Sequence, residues 1–230
     1  MNVLVIAAHP DDEILGLGGT LIKHVTKGDN VFIHILTDGH SSRKRENDNI
    51  EKSVKKRFSC AEKAADTLGA AGLHVSGFLD QKLDAVPIIK IIHEIESFAA
   101  KINPDYVYTH HMGDVNYDHK VTFQAVINAF RPASNIFPIK LFSFETISAS
   151  EWGLPASESL FNPNYYVDIS AFLEKKLELI KCYEDELKEY PHPRSLKGIE
   201  LIAQRWGTVI HSEAAEAFIL LRGIDKLSGG

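Results

Sequence analysis

Strand-like and helix-like stretches alternate along the first two-thirds of this chain, and no other feature limits its fold as strongly. Branched and aromatic residues fill Val3 to Ala8, Val31 to Thr37, Leu73 to Phe78, Asp105 to Thr109 and Ile139 to Phe144. Between them, Ile14 to Lys27 stops at Gly28 and Glu51 to Leu68 stops at Gly69. Pro87 to Ile102 opens on a proline suited to a first helical turn and ends before Pro104. Alternation of this kind makes βαβ units, whose right-handed crossovers give a mainly parallel sheet with helices on both faces. The expected class is therefore α/β, Rossmann-like.

After Phe144 the pattern loosens. Ser148 to Asn164, which holds Pro155 and Pro163, reads as a long loop, and loops of that length usually have a task. A strand-like Tyr165 to Asp168 follows, then an amphipathic helix from about Ala171 to Leu187, the segment Tyr190-Pro191-His192-Pro193-Arg194-Ser195, and a further helix from about Leu196. Ser228-Gly229-Gly230 reads as a frayed end. With no sharp shift in composition, residues 1–230 are expected to form one domain, the part from about 145 to 230 supplying pocket loops and helices.

A length of 230 residues with 44% hydrophobic content supports one sizeable core. The formal charge of -6 argues against nucleic-acid partners, which favour a basic surface stripe. No apolar run approaches the roughly 20 residues that span a bilayer, and the first strand begins at Met1, so a cytoplasmic protein is expected. Cys60 and Cys182 lack metal or redox spacing and read as small buried thiols.

The chemistry collects where strands end. The first strand runs into His9-Pro10-Asp11-Asp12-Glu13, and the fourth into His110-His111-Met112-Gly113-Asp114-Val115-Asn116-Tyr117-Asp118-His119. In an open α/β sheet such ends meet at one crevice. His9 and Asp12 stand one helical turn apart, so one cation can accept both while Asp11 points elsewhere. With His119 the set is two imidazoles and a carboxylate, a mixture that suits a catalytic zinc with an open position for water. Bound zinc lowers the pKa of that water to about 7. Asp11 would deprotonate it and pass the proton to a departing amine.

Plainer physics explains part of this. Proline and acidic residues suit a helix start after His9, but that leaves His9 itself without a reason. Asp118 serves as an N-cap before Lys120, and a second role is compatible with that cap: orienting the ring of the ligand histidine beside it. Of His110 and His111, the second is preferred as the group that stabilises the oxyanion. His34 sits mid-strand, and His24, His40, His74, His93 and His211 lack partners at ligand spacing, so all six read as structural or surface residues. Arg43-Lys44-Arg45 could meet a diphosphate, although a charge run is more often a solvated loop.

The segments His9-Pro10-Asp11-Asp12-Glu13 and Asp114-Val115-Asn116-Tyr117-Asp118-His119 resemble the two signatures of the LmbE/PIG-L family of zinc-dependent N-deacetylases. Thr37-Asp38-Gly39, Ala64 to Gly69 and Phe78-Leu79-Asp80 extend the likeness over Met1 to about Phe130. The resemblance implies removal of acetyl groups from N-acetylglucosamine-type sugars, with His9, Asp12 and His119 as zinc ligands and Asp11 as base. Several members carry a histidine three residues before the ligand histidine. Here that position is Asn116, which can donate a hydrogen bond but cannot shuttle a proton.

The last third resembles one branch of the family, the bacterial enzymes near polysaccharide or sugar-modified natural-product pathways, through Glu145-Thr146-Ile147-Ser148-Ala149-Ser150-Glu151-Trp152 and Pro191-His192-Pro193-Arg194-Ser195. Asp80, Glu145, Trp152, His192 and Arg194 are the expected substrate contacts: Trp152 offers an apolar face to a sugar ring, and Arg194 a planar fork to phosphate or carboxylate. Trp152 anchoring its loop, and His192 and Arg194 capping or pairing locally, are the plain alternatives. The expected cofactor is Zn2+, with Fe2+ suited to the same donors, and the expected partner is a small-molecule or glycoconjugate amino sugar; a homo-oligomer is compatible. Two rivals share the motifs: a non-haem iron oxygenase using His9, Asp11 and His119, and a non-catalytic zinc-containing sugar-binding module.

Overall fold

The computed structural model describes residues 1–42, 49–132, 134–154 and 160–225. Arg43-Lys44-Arg45, Pro155 and the terminal Ser228-Gly229-Gly230 lie outside the described residues. The strands β1 (Asn2–Ala7), β2 (Asn30–Thr37), β3 (Gly72–Phe78), β4 (Tyr106–His110), β5 (Lys140–Phe144), β6 (Tyr165–Asp168) and β7 (Ala215–Gly223) form one seven-stranded sheet in the order β3-β2-β1-β4-β5-β7-β6. The first five are mutually parallel, while β7 runs antiparallel to both β5 and β6. This is the mainly parallel α/β sheet that the alternation predicts.

Alternate residues of β1 feed opposite cores. Val3 and Val5 pack beneath α1 (Asp12–Thr26), α2 (Ile50–Leu68) and α5 (Leu173–Ile180). Leu4 and Ile6 pack against α3 (Ile88–Ile102) and α4 (Tyr117–Ala129) on the other face. A strand buried on both sides has no polar face, so β1 is a continuous apolar run. Helix α1 passes so close to β5 that a Cβ on Gly16 would lie 2.8 Å from Phe144 Cε2 and 3.1 Å from the Glu145 carbonyl oxygen.

Two parts of the C-terminal third depart from expectation. The helix expected over 171–187 ends at Ile180, and a 3-10 segment, Lys181–Glu186, continues with a break at Tyr183 (φ -109°, ψ 42°). Tyr183 is buried there and donates its hydroxyl proton to Glu13 Oε1 at 2.6 Å. Strand β7 follows α6 (Leu196–Val209) and was not expected. Its apolar run is interrupted by Glu216, whose buried carboxylate accepts from Gly19 N (2.9 Å), Thr20 N (2.6 Å) and Lys176 Nζ (2.6 Å). No helix among the described residues is long and apolar enough to cross a membrane.

Candidate metal centre

The order of strands reverses between β1 and β4, and such a switch point opens a crevice at the carboxyl ends. His9 lies just past β1, His110 is the last residue of β4, and α4 carries His119 in its first turns. The two polar clusters therefore meet. His9 Nδ1 lies 3.1 Å from Asp12 Oδ2 and 3.2 Å from His119 Nε2, and His119 Nε2 lies 3.2 Å from Asp12 Oδ2.

The outer partners decide what those three atoms are. His9 Nε2 faces Asp118 Oδ2 at 3.1 Å and Asp80 Oδ1 at 3.2 Å, and an ionised carboxylate can only accept, so Nε2 carries the proton. His119 Nδ1 donates to Asp114 Oδ2 at 2.9 Å for the same reason. With each ring neutral, two lone pairs and a carboxylate oxygen converge at hydrogen-bond distance, an arrangement that suits a cation; without one, the rings take up protons in its place. Asp12 Oδ1, buried and without a hydrogen-bond partner, adds to the demand. His9, Asp12 and His119 thus fit a divalent ion by geometry and donor type. Burial opposes charge on His9 and His119, but the facing carboxylates win: His9 is raised well above its usual value and His119 to about 9. Asp12 is pushed up by burial and pulled further down by His119 and His9, ending well below the usual carboxylate range.

Asp118 corrects two expectations. The N-cap of α4 is Asn116, whose Oδ1 accepts from Asp118 N at 2.9 Å. Asp118 orients not its neighbour His119 but His9, and it also accepts from Gln81 N (2.8 Å) and Leu83 N (3.0 Å). The residue behind His119 is Asp114, given no role by the sequence reading; it also accepts from Ser150 Oγ at 2.9 Å and from Asn116 N at 2.8 Å. His110 accepts from the Ala8 backbone N–H through Nε2 at 2.8 Å, so its Nδ1 holds the proton and donates to Thr146 Oγ1 at 2.9 Å. Its ring stacks on His119 with centroids 3.9 Å apart. His111, preferred on sequence, sets its ring edge-on to Phe161 at 5.3 Å.

Asp11 stands apart from the triad. Its carboxylate Oδ2 lies 3.1 Å from Arg194 Nη1 and 3.6 Å from Arg57 Nη2, whereas Asp12 faces both rings. The oxygenase rival required Asp11 as the ligand, so this division of labour removes its basis. Asp11 caps α1 at φ 119° and ψ -29°, a conformation that costs about 1–3 kcal/mol for a residue with a Cβ. Its backbone is held there: Asp11 N donates to Glu13 Oε2 at 3.0 Å, and Arg57 Nη2 donates to the Pro10 carbonyl at 2.7 Å. Burial raises the Asp11 pKa against the pull of Arg194 and Arg57. Burial also lifts Glu13 to about 7 despite its bond from Tyr183. No local pattern reveals Arg57 or Tyr183, whose contacts cross elements, and the bond from Asp11 N to Glu13, though local, depends on the left-handed backbone at Asp11; sequence assigns none of the three a site role.

The expected substrate contacts fall into two groups. Asp80 is buried, holds His9 Nε2 and accepts from Ser42 Oγ, so its carboxylate serves the centre. Arg194 pairs with Asp11 and donates through Nε to Ser148 Oγ at 2.6 Å. His192 accepts from Arg194 N at 3.0 Å and meets the edge of Trp152, which is 54% exposed. Glu145 accepts from Trp206 Nε1, and burial pushes its pKa up. Glu145, Ser150, Phe161, Pro193 and Trp206 help line a cavity of about 580 Å³. A larger groove of about 740 Å³ lies between α1, α2 and α5 and includes none of the centre's residues.

Two imidazoles and a carboxylate converge at the switch point of a mainly parallel sheet, which places the chain among α/β proteins whose crevice donors fit a divalent ion. The chain belongs to the PIG-L (GlcNAc-PI de-N-acetylase) family, whose pattern matches residues 4–130. Over 230 residues it is 26% identical to diacetylchitobiose deacetylase of Thermococcus kodakarensis, covering 97% of this chain and 84% of that protein. Its fold is that of N,N'-diacetylchitobiose deacetylase from Pyrococcus horikoshii, at a TM-score of 0.78 and 22% identity, over 96% of this chain and 83% of the other. The fold is also that of GalB, a 4-carboxy-2-hydroxymuconate hydratase from Pseudomonas putida, at a TM-score of 0.74 and 18% identity, over 100% and 99% of the two chains. The fold alone therefore does not name the reaction.

Proposed function

We propose that this protein hydrolyses the N-acetyl group of an amino sugar or sugar conjugate. The observation that carries the reading is the convergence of His9 Nδ1, Asp12 Oδ2 and His119 Nε2 within 3.2 Å of one another, with the neighbouring Asp11 left out of the set. Membership of the PIG-L family and the name of the Thermococcus relative support an acetylated amino sugar as substrate. A zinc ion held by the triad, or iron(II) on the same donors, would supply Lewis-acid polarisation of the amide carbonyl and a more acidic water.

The remaining work falls to side chains. Asp11 accepts the proton of the attacking water at its carboxylate and returns it to the amide nitrogen as the C–N bond breaks, since an unprotonated amine leaves poorly. Its raised pKa suits a group that must both take and give a proton. The bond from Asp11 N to Glu13 fixes the backbone, and Arg194 steadies the carboxylate until substrate arrives. Asn116, with its oxygen committed to capping α4, and His111 are the groups from which the oxyanion would draw hydrogen bonds.

In this reading one domain, residues 1–230, does the chemistry, and its last third forms the sugar pocket. Phe161 offers an apolar face for a pyranose ring in the 580 Å³ cavity, Trp206 backs that wall with the Arg205 guanidinium over its ring, and Trp152, His192 and Arg194 are chain neighbours of lining residues. The test is a mass-spectrometric screen of N-acetylated sugars, nucleotide sugars and glycosides against zinc-loaded and iron-loaded protein. Loss of one acetyl unit with release of acetate is expected for at least one compound class. No acetyl loss across the panel from either loaded form would overturn the proposal.

A further inference from the structure

We propose that His34, His74 and Glu94 form a second site, for a divalent transition-metal ion, at the β3 edge of the sheet. It goes beyond the function proposed above and does not depend on it. Residues 34 and 74 are far apart in sequence, but the parallel register of β2 and β3 pairs them directly. Their rings share one face of the sheet with centroids 4.8 Å apart. Helix α3 crosses that face and presents Glu94 and, one turn on, Phe98. Glu94 Oε1 lies 2.8 Å from His74 Nε2, and one donor atom from each of the three residues falls within 4.8 Å of the others.

Three further features set the cluster apart from an ordinary hydrogen-bonded group. Phe98 stacks on His74 at 4.9 Å and stands edge-on to His34 at 5.0 Å, so both imidazoles are held in place before any ion arrives. The polar network around them is incomplete: His34 Nε2 meets Ser76 Oγ at 2.7 Å and Ser76 donates to Glu94 at 3.0 Å, but His34 Nδ1 is buried with no hydrogen-bond partner. Burial, reinforced by His74, depresses the His34 pKa to about 3, so its imidazole is neutral; an ion at the cluster would take the place of the protons that His34 Nε2 and His74 Nε2 now give to Ser76 and Glu94, each ring shifting its proton to Nδ1. The floor of the site is closed while its mouth is open, because His34 is fully buried but the His74 and Glu94 side chains are 39% and 36% exposed. An ion can enter from water and retain water as a further ligand.

Two imidazoles and one carboxylate select zinc, cobalt, nickel or copper over magnesium or calcium, which prefer oxygen. The ion would join the edge strand β3 to β2 and to α3, strengthening the exposed border of the sheet.

The test is cobalt(II) and zinc titration of the whole protein, followed by visible absorption and calorimetry, on the wild type, His74→Asn, Glu94→Gln, His119→Ala and the double variant His74→Asn/His119→Ala. Two binding events are expected in the wild type. His74→Asn and Glu94→Gln should each weaken one of them at least tenfold, His119→Ala should remove the other, and the double variant should bind neither. Partial exposure of His74 and Glu94 makes both substitutions tolerable, and circular dichroism checks each fold. A single wild-type event that His119→Ala abolishes would overturn the proposal, as would two events that both survive His74→Asn and Glu94→Gln. A single event lost in His74→Asn but kept in His119→Ala would uphold this site and count against the triad.

Discussion

Replacing Asp114 by asparagine tests whether the carboxylate behind His119 governs metal binding. Asp114 accepts three hydrogen bonds: from His119 Nδ1 and Ser150 Oγ on Oδ2, both at 2.9 Å, and from Asn116 N on Oδ1 at 2.8 Å. An amide has one oxygen and one NH2 group, so in either orientation a donor faces a donor. With the oxygen kept toward His119, the NH2 group opposes the Asn116 N–H, a buried mismatch that costs about 1–3 kcal/mol of folding free energy. With the amide turned over, its N–H needs His119 Nδ1 as acceptor, which moves the ring proton to Nε2, the atom aimed at Asp12 and His9. Loss of such an orienting partner typically lowers metal affinity 10–100-fold, about 1.4–2.7 kcal/mol. Competition for zinc against a chromophoric chelator at fixed pH reads this directly. Ser150→Ala, which removes only one donor to the same carboxylate, is expected to lower affinity less than tenfold. An Asp114→Asn protein that binds zinc within twofold of the wild type would refute the reasoning.

Other expectations follow from the same geometry. Asp11→Asn should retain its metal, measured after dialysis, and lose at least about 10²-fold in acetate release, the usual worth of a general base; undiminished turnover would remove Asp11 from that role. His119→Ala should emerge from dialysis without the ion at the crevice. Lys176→Ala leaves the Glu216 carboxylate buried without its 2.6 Å cation and should cost about 3–5 kcal/mol in urea denaturation; a loss below about 1 kcal/mol would refute this. His34 supplies a pH test: its folded pKa of about 3 lies below the unfolded value of 6.5, so on acidification the unfolded chain binds a proton that the folded one refuses. With chelator present, stability should fall as pH drops below 6.5, the slope from His34 approaching ~1.4 kcal/mol per pH unit, and His34→Asn should flatten that dependence between pH 6.5 and 5.

The parallel half of the molecule was legible in the sequence because each strand and helix there carries its own local signal: an apolar run, a closing glycine, a proline at a helix start. The triad was legible for a related reason, since polar residues directly behind apolar strands mark the crevice end of such a sheet. What stayed hidden depends on contacts between elements. Asp114 carries no signal of its own within its segment, because only the turn before α4 brings it behind His119. Asp118 was tied to its chain neighbour, although its partner is the ring of His9, 109 residues away. His34 reads as a mid-strand residue and His74 lacks a partner at ligand spacing, but strand register brings the two together. Strand β7 escaped because an apolar run containing Glu216 has no clean period, and its pairing partners lie far off in sequence.

Thr146 and Ser150 sit on the segment that walls the cavity, and each also reaches back toward the crevice: Thr146 Oγ1 bonds His110 Nδ1, and Ser150 Oγ bonds both Thr146 N and Asp114. The wall and the ring mounts are therefore one mechanical piece. Under the proposed function, a guest that pushes on the wall would shift the hydroxyls that steady the imidazoles, coupling the grip on the ion to the fit of the guest through two small side chains.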